Sequence, residues 1–220
     1  MALLLAFIMM FGLVPGVNAS EARSDTGTDT YEALYETAPE LVNPFSDVTE
    51  NKYYYDAVLW AYYHDPQIAG GVDETHFGVN DICSREQALT FLWKAKGAPE
   101  PASSVNPFTD VNEAKYYYKA VLWAVENKVT GGAGTDRFGI GEPCTREQAM
   151  TFLWEVCGSP EPAKNDNPFK DVIEGKYYSK AVLWAVEQGI TGGVSDDRFG
   201  VGDPCTRAQI VTFLYKAFSD

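Results

Sequence analysis

Three arginines stand where a cation is least expected. They are Arg85 in Cys83-Ser84-Arg85-Glu86-Gln87, Arg146 in Cys144-Thr145-Arg146-Glu147-Gln148 and Arg207 in Cys205-Thr206-Arg207-Ala208-Gln209, and they recur at intervals of 61 residues. Behind each one the apolar residues fall at helical spacing, as with Ile210, Phe213, Leu214 and Ala217, so each arginine occupies the first turn of a helix. The macrodipole already makes that end positive, and a further cation there is unfavourable by itself. One such residue could be an accident, but three in register imply a requirement. A helix N-terminus with a guanidinium beside it can hold an anion: the backbone N–H groups point outward, and the fork matches a carboxylate in two parallel hydrogen bonds. The residues leave a second use open, in which each arginine pairs with Asp47, Asp110 or Asp171 and ties helix to turn.

The elements that must position the arginines can be read around them. Ser84, Thr145 and Thr206 are N-caps, and Gln87, Gln148 and Gln209 stand three residues on, where a side chain reaches back to complete a capping box. Cys83, Cys144 and Cys205 precede the caps and read as hydrophobic staples, Cys205 on Ile210; a disulfide or a shared metal site is the alternative, and Cys157 has no counterpart. Upstream lies a glycine-rich loop in each copy, with Gly71, Gly132 and Gly193 able to take positive φ or to let a ligand approach the backbone closely. Its acidic residues (Asp73, Glu74, Asp136, Asp196, Asp197) lack the dense alternation of a calcium loop, so no metal is expected.

Before the loop comes another helix. In the third copy Tyr178, Ala181, Val182 and Ala185 line one side, Tyr177, Ala181 and Trp184 the neighbouring stripe, and Gly189 fits the position after its end. Trp60, Trp123 and Trp184 read as core, with a ligand platform as the alternative, while Tyr53, Tyr116 and Tyr177 are rings that can stack on a ligand. Each unit opens on Asn-Pro-Phe-x-Asp-Val, with Asp47, Asp110 and Asp171 each followed three residues later by Glu, which reads as a capping box at a turn.

The openings at Pro44, Pro107 and Pro168 are 63 and 61 residues apart, and the two extra residues fall within 61–69 of the first copy. The expected organisation is a signal peptide at 1–19, a polar linker at 20–42, and repeats at 43–100, 101–162 and 163–220, with linkers at 98–104 and 158–166. Residues 1–20 carry no ionisable side chain, and the apolar run 2–14 ends in Pro15-Gly16 before Val17-Asn18-Ala19-Ser20. That run is too short for a comfortable membrane span, and its missing basic flank points to an upstream start or a fragment. A sixty-residue unit with two apolar stripes is small to stand alone. The fold expected is therefore mainly α: three helix–loop–helix repeats packed as one body of approximate threefold symmetry.

A net charge of −14 argues against nucleic-acid or anionic-membrane binding. An enzyme is not expected either, because the only histidines are His64 and His76, without metal-binding helix spacing, and there is no nucleophile elbow or phosphate loop.

The third copy presents Phe169, Asp171, Val172, Tyr177, Ala181, Val182, Gly189, Ile190, Gly193, Asp196, Phe199, Pro204, Thr206 and Arg207 in an order that resembles the S-layer homology (SLH) family, and three such units follow one another from Asn43 onward. The chain departs from the family pattern at Tyr53, Tyr116 and Tyr177, where Trp is usual, at the cysteines, which replace Ile, and at Gln87, Gln148 and Gln209, which replace Glu. Glu86 and Glu147 follow the arginines in two copies, where they can pair with them or repel a ligand. The resemblance implies a pseudo-trimer whose inter-repeat grooves bind secondary cell-wall polymer, typically a glycan carrying pyruvate ketals. By the same resemblance the chain is a non-catalytic anchor, secreted to a bacterial cell surface without a cofactor, and able to self-associate in a surface layer. The rival readings are a protein-protein or calcium-assisted interaction module, and a truncated product of a larger surface protein. The anchoring reading requires the arginines to reach a solvent-filled hollow.

Overall fold

Each repeat of the computed structural model, which describes residues 41–164 and 166–219, folds into two helices joined by the glycine loop. They are α1 (Tyr55–Tyr63) and α2 (Arg85–Ala95), α3 (Tyr118–Glu126) and α4 (Arg146–Val156), and α5 (Ser179–Glu187) and α6 (Arg207–Phe218). The described residues contain only isolated β-bridges beside these helices, so the fold is mainly α. Among them no helix is long and apolar enough to cross a membrane. The expected signal peptide and all but residues 41–42 of the expected linker lie outside the described residues.

The second helix of each repeat begins where its cap dictates. Gln87, Gln148 and Gln209 each accept, through Oε1, the N–H of Ser84, Thr145 and Thr206 at 3.1, 3.1 and 2.9 Å. Thr206 returns the favour by accepting from the Gln209 N–H at 3.3 Å, whereas the hydroxyls of Ser84 and Thr145 are buried without a hydrogen-bond partner. The first helix ends at Gly189 (φ 69°) in the third copy, with Ile190 N–H bonded to the Ala185 carbonyl at 3.0 Å. Lys128 (φ 60°) fills that left-handed position in the second copy. Tyr177, expected on a stripe of this helix, instead lies before it in a turn closed by Ser179 N–H on the Lys176 carbonyl, and its ring is exposed.

The aspartates do not form capping boxes with the glutamates three residues on. Each carboxylate instead reaches about thirty residues along the chain and accepts three successive backbone N–H groups just ahead of the second helix. Asp47 binds Phe77, Gly78 and Val79 at 2.7, 2.8 and 3.0 Å. Asp110 binds 138–140 and Asp171 binds 199–201 in the same way. Burial works to raise these carboxyls, but the three backbone donors together outweigh it and hold all three below the usual aspartate value.

The repeats assemble in a ring. The second helix of each repeat packs on the first helix of the next (α2 on α3, α4 on α5), and α6 closes on α1, while α2, α4 and α6 meet one another at the centre. Around that centre the backbone makes a closed cycle. Cys83 N–H donates to the Cys205 carbonyl at 2.9 Å, Cys144 N–H to Cys83 at 2.9 Å and Cys205 N–H to Cys144 at 2.8 Å. A second cycle runs through the arginine amides, which donate to the carbonyls of Glu142, Asp203 and Asp81 in turn. The three cysteine side chains are fully buried in one continuous apolar core and are free thiols rather than disulfide partners. Burial pushes Cys83 and Cys205 up to about 12, so they stay protonated and inert. The segments expected to be linkers are pinned: Trp93 and Trp154 donate their indole N–H to the carbonyls of Pro99 and Pro160 at 2.9 and 2.8 Å.

Candidate functional site

The three guanidinium groups are buried, with relative exposures of 3%, 6% and 6% for Arg85, Arg146 and Arg207. None pairs with an aspartate. Each reaches into the following repeat and donates its Nε–H to the carbonyl of the loop phenylalanine: Arg85 to Phe138 at 3.1 Å, Arg146 to Phe199 at 3.0 Å, and Arg207 to Phe77 at 3.0 Å. Two aromatic rings flank each cation. Arg85 lies 5.2 and 5.5 Å from the ring centres of Phe138 and Phe152. Arg146 lies 4.9 and 5.7 Å from those of Phe199 and Phe213, and Arg207 lies 4.8 and 5.3 Å from those of Phe77 and Phe91. The desolvation of each cation is thus met by at least one carbonyl and two ring faces, not by a counter-charge.

At Arg85 this arrangement opens on a groove of about 490 Å³, lined by Lys128, Gly131, Gly132, Gln148 and Tyr177 among others. The arginine comes from the first repeat, the glycine loop and Gln148 from the second, and the tyrosine from the third. The same cyclic order holds elsewhere, for Tyr53 of the first repeat is close to Thr206 and Arg146, and Tyr116 of the second is close to Glu86 and Arg207. All three tyrosines are exposed residues at the rims. Burial of the phenol raises each of them, Tyr116 to about 12 with the Glu86 charge adding to the effect.

The S-layer homology domain profile matches residues 44–89, 107–150 and 168–211, more than half of the chain. The chain belongs to the S-layer homology domain family. It therefore stands among modules that anchor proteins at the cell surface. Over 134 residues it is 31% identical to a cell surface protein of Thermoanaerobacter kivui, an alignment covering 59% of this chain and 17% of that protein. Over 119 residues it is 30% identical to the surface-layer 125 kDa protein of Lysinibacillus sphaericus, covering 54% of this chain and 10% of that protein. The chain thus spans a small part of the length of either relative.

The geometry redistributes roles within this SLH body. The helix ends are less bare than their sequence implies, because the arginine N–H and the cap N–H are both taken by protein acceptors. The guanidinium is left as the group whose donors could meet an anion. A Cβ on Gly71, Gly132 or Gly193 would fall 2.3 to 2.5 Å from atoms of its own loop or of Phe108, so these glycines are required by packing. In the second and third copies the preceding glycine has open space instead: nothing lies within 4 Å of a Cβ at Gly131 or Gly192. Glu86 and Glu147 form no ion pair with their arginines. They are buried and accept from the N–H of Gly141 and Gly202 at 3.0 and 2.9 Å, a further tie between successive repeats. Asp73 is engaged with the backbone N–H groups of Thr75 and His76, Asp197 with Lys170, and among the described residues no three His, Cys, Asp or Glu side chains converge as metal ligands would.

The sequence reading placed Phe213 on an apolar helix face but missed that the helix phenylalanines flank the arginines. Phe91, Phe152 and Phe213 recur at 61-residue intervals, six positions after each arginine, and that shared register was the available signal. Their apolar character makes them indistinguishable from ordinary core residues until the neighbouring repeat brings a cation between the rings.

Proposed function

We propose that this SLH body is a non-catalytic anchor that holds its protein to a bacterial wall by gripping an acidic substituent of secondary cell-wall polymer, such as a pyruvate ketal. The observation that carries the reading is Arg85: a cation nine-tenths buried, fixed between two phenyl rings, and opening on a solvent-filled groove. A fixed guanidinium offers two parallel N–H donors to a carboxylate without losing side-chain freedom on binding, and its low-dielectric surroundings strengthen the contact. Tyr177 on the rim supplies a ring face for the sugar bearing that carboxylate. With the whole chain at −14, attraction at a distance is unfavourable, so selection rests on these close contacts.

The test is sedimentation of the purified chain with protein-free wall sacculi, before and after the polymer is chemically stripped from the peptidoglycan. The chain is expected to pellet with intact sacculi and to remain in solution with stripped ones. Equal pelleting with both, or with neither, would refute the reading, and failure with both would favour a protein partner.

A further inference from the structure

Resting on the wall-glycan reading, we infer that the three grooves are not equivalent, and that the one between Arg85 and Tyr177 alone seats the acidic substituent, one per chain. The repeats present the same arginine, carbonyl and ring pair three times, yet they spend the guanidinium differently. Arg146 donates through Nη2 to the Thr191 hydroxyl at 3.2 Å and to the Gly192 carbonyl at 2.9 Å. Arg207 donates through Nη2 to the Gly70 carbonyl at 2.7 Å. In both, the loop's first glycine has latched the fork that a carboxylate would need. At Arg85 the Nε–H alone is bonded, and neither terminal nitrogen has an acceptor among the described residues, although Thr130 and Gly131 stand in the corresponding places.

The loop explains the difference. Gly132 sits at φ +92°, whereas Gly71 and Gly193 are outside the left-handed region. In that conformation the Thr130 hydroxyl accepts from the Gly132 N–H at 3.1 Å. Thr191, its counterpart, serves Arg146, and the first repeat has Ala69 there. The terminal nitrogens of Arg85 keep contact with solvent at the groove, so their acceptor lies outside the chain, in water or in a carboxylate with matching fork geometry.

The surroundings favour the carboxylate. Lys128 lies on the groove, while its two carboxylates are already engaged: Glu142 lies 3.7 Å from Arg137, and Glu155 accepts from the Ser159 hydroxyl at 2.6 Å. Tyr177 also lines a second hollow, of about 570 Å³, with Asn167, Lys176 and Lys180. A glycan bound by its acidic group at Arg85 can therefore continue past the ring into this hollow, along the third repeat.

The experiment is calorimetric titration of the chain with a methyl hexoside bearing a pyruvate ketal, beside sacculus sedimentation. The expected result is one site per chain. Tyr177→Ala, an exposed-rim change, should weaken it at least tenfold, and Tyr177→Trp should retain it. Three equal sites, or an unchanged affinity in Tyr177→Ala, would overturn the single seat while leaving wall binding intact. Capture by intact sacculi without any titration signal would overturn the assignment of the substituent. Loss of sacculus capture in the unmodified chain would instead refute the wall reading itself.

Discussion

Replacing the arginines one at a time should give opposite rankings for stability and for binding. Arg207 ties the third repeat to the first through two carbonyls, at 3.0 and 2.7 Å, and two ring faces. Hydrogen bonds to a charged donor contribute about 1.5–3 kcal/mol each, and each ring contact about 0.5–2 kcal/mol. Against this stands the desolvation of the cation, which burial makes large enough to lower the Arg207 pKa. The net loss in Arg207→Ala should be about 3–4 kcal/mol, since two buried carbonyls lose their donor. Arg85 makes one such bond, so Arg85→Ala should lose about 1.5–2 kcal/mol. At about 2–4 °C per kcal/mol for a body of this size, the first variant should melt about 10 °C lower and the second about 5 °C lower. Differential scanning calorimetry, with circular dichroism to confirm retained helix, measures both. Sacculus binding should rank the other way, with Arg85→Ala losing capture and Arg207→Ala keeping most of it at temperatures where it is folded. If Arg85→Ala proved as destabilising as Arg207→Ala, the account of how each fork is spent would be wrong.

Two further predictions concern the loops. Asp171→Asn replaces a carboxylate that accepts from three backbone N–H groups, and should cost about 2–3 kcal/mol by denaturant titration. Because the folded carboxyl lies below its ordinary 3.8, its contribution is fully present above that pH and is lost as pH falls through the lower folded value. The variant should accordingly show a shallower acid limb below about pH 4, and an unchanged limb would count against this role. Gly193→Ala places a Cβ 2.4 Å from the Ser195 carbonyl and should destabilise by at least about 2 kcal/mol, whereas Gly192→Ala meets open space and should stay within about 0.5 kcal/mol. Equal effects in a thermal melt would refute that division of labour.

Much of the fold was legible because its signals are local and repeated. Gln209 three residues after Thr206 specifies a cap, and Gly189 after the helix specifies its end, without reference to the rest of the chain. The 61-residue register then made a pseudo-threefold body the natural way to bury two stripes per unit. What the sequence could not disclose depends on which repeat faces which. The use of Asp47, Asp110 and Asp171 was misread because a capping box and a clamp on a loop thirty residues away present the same residue type. The candidate site was legible as residue types and not as partners. Arg85 and Tyr177 are 92 positions apart, and only ring closure brings them to one groove.

Ring closure also explains how near-identical repeats can differ in the hydrogen bonds their arginines make. Each repeat gives its arginine to the next and its amides to a shared central cycle, so all three arginines are held in place whether or not they bind anything. The framework tolerates variation at the groove because much of the stability is secured elsewhere, in the central backbone cycles and the aspartate clamps. A change as small as the loop conformation at Gly132 accompanies the difference between a guanidinium latched by its own chain and one whose terminal nitrogens stay open to the groove. This is compatible with a strongly negative surface. Long-range repulsion decays over about 8–10 Å at physiological ionic strength, whereas a buried cation acts at contact and is screened far less. Under the proposed function, an anchor built this way would gain little from basic patches, and its selectivity would reside in the geometry of one fork.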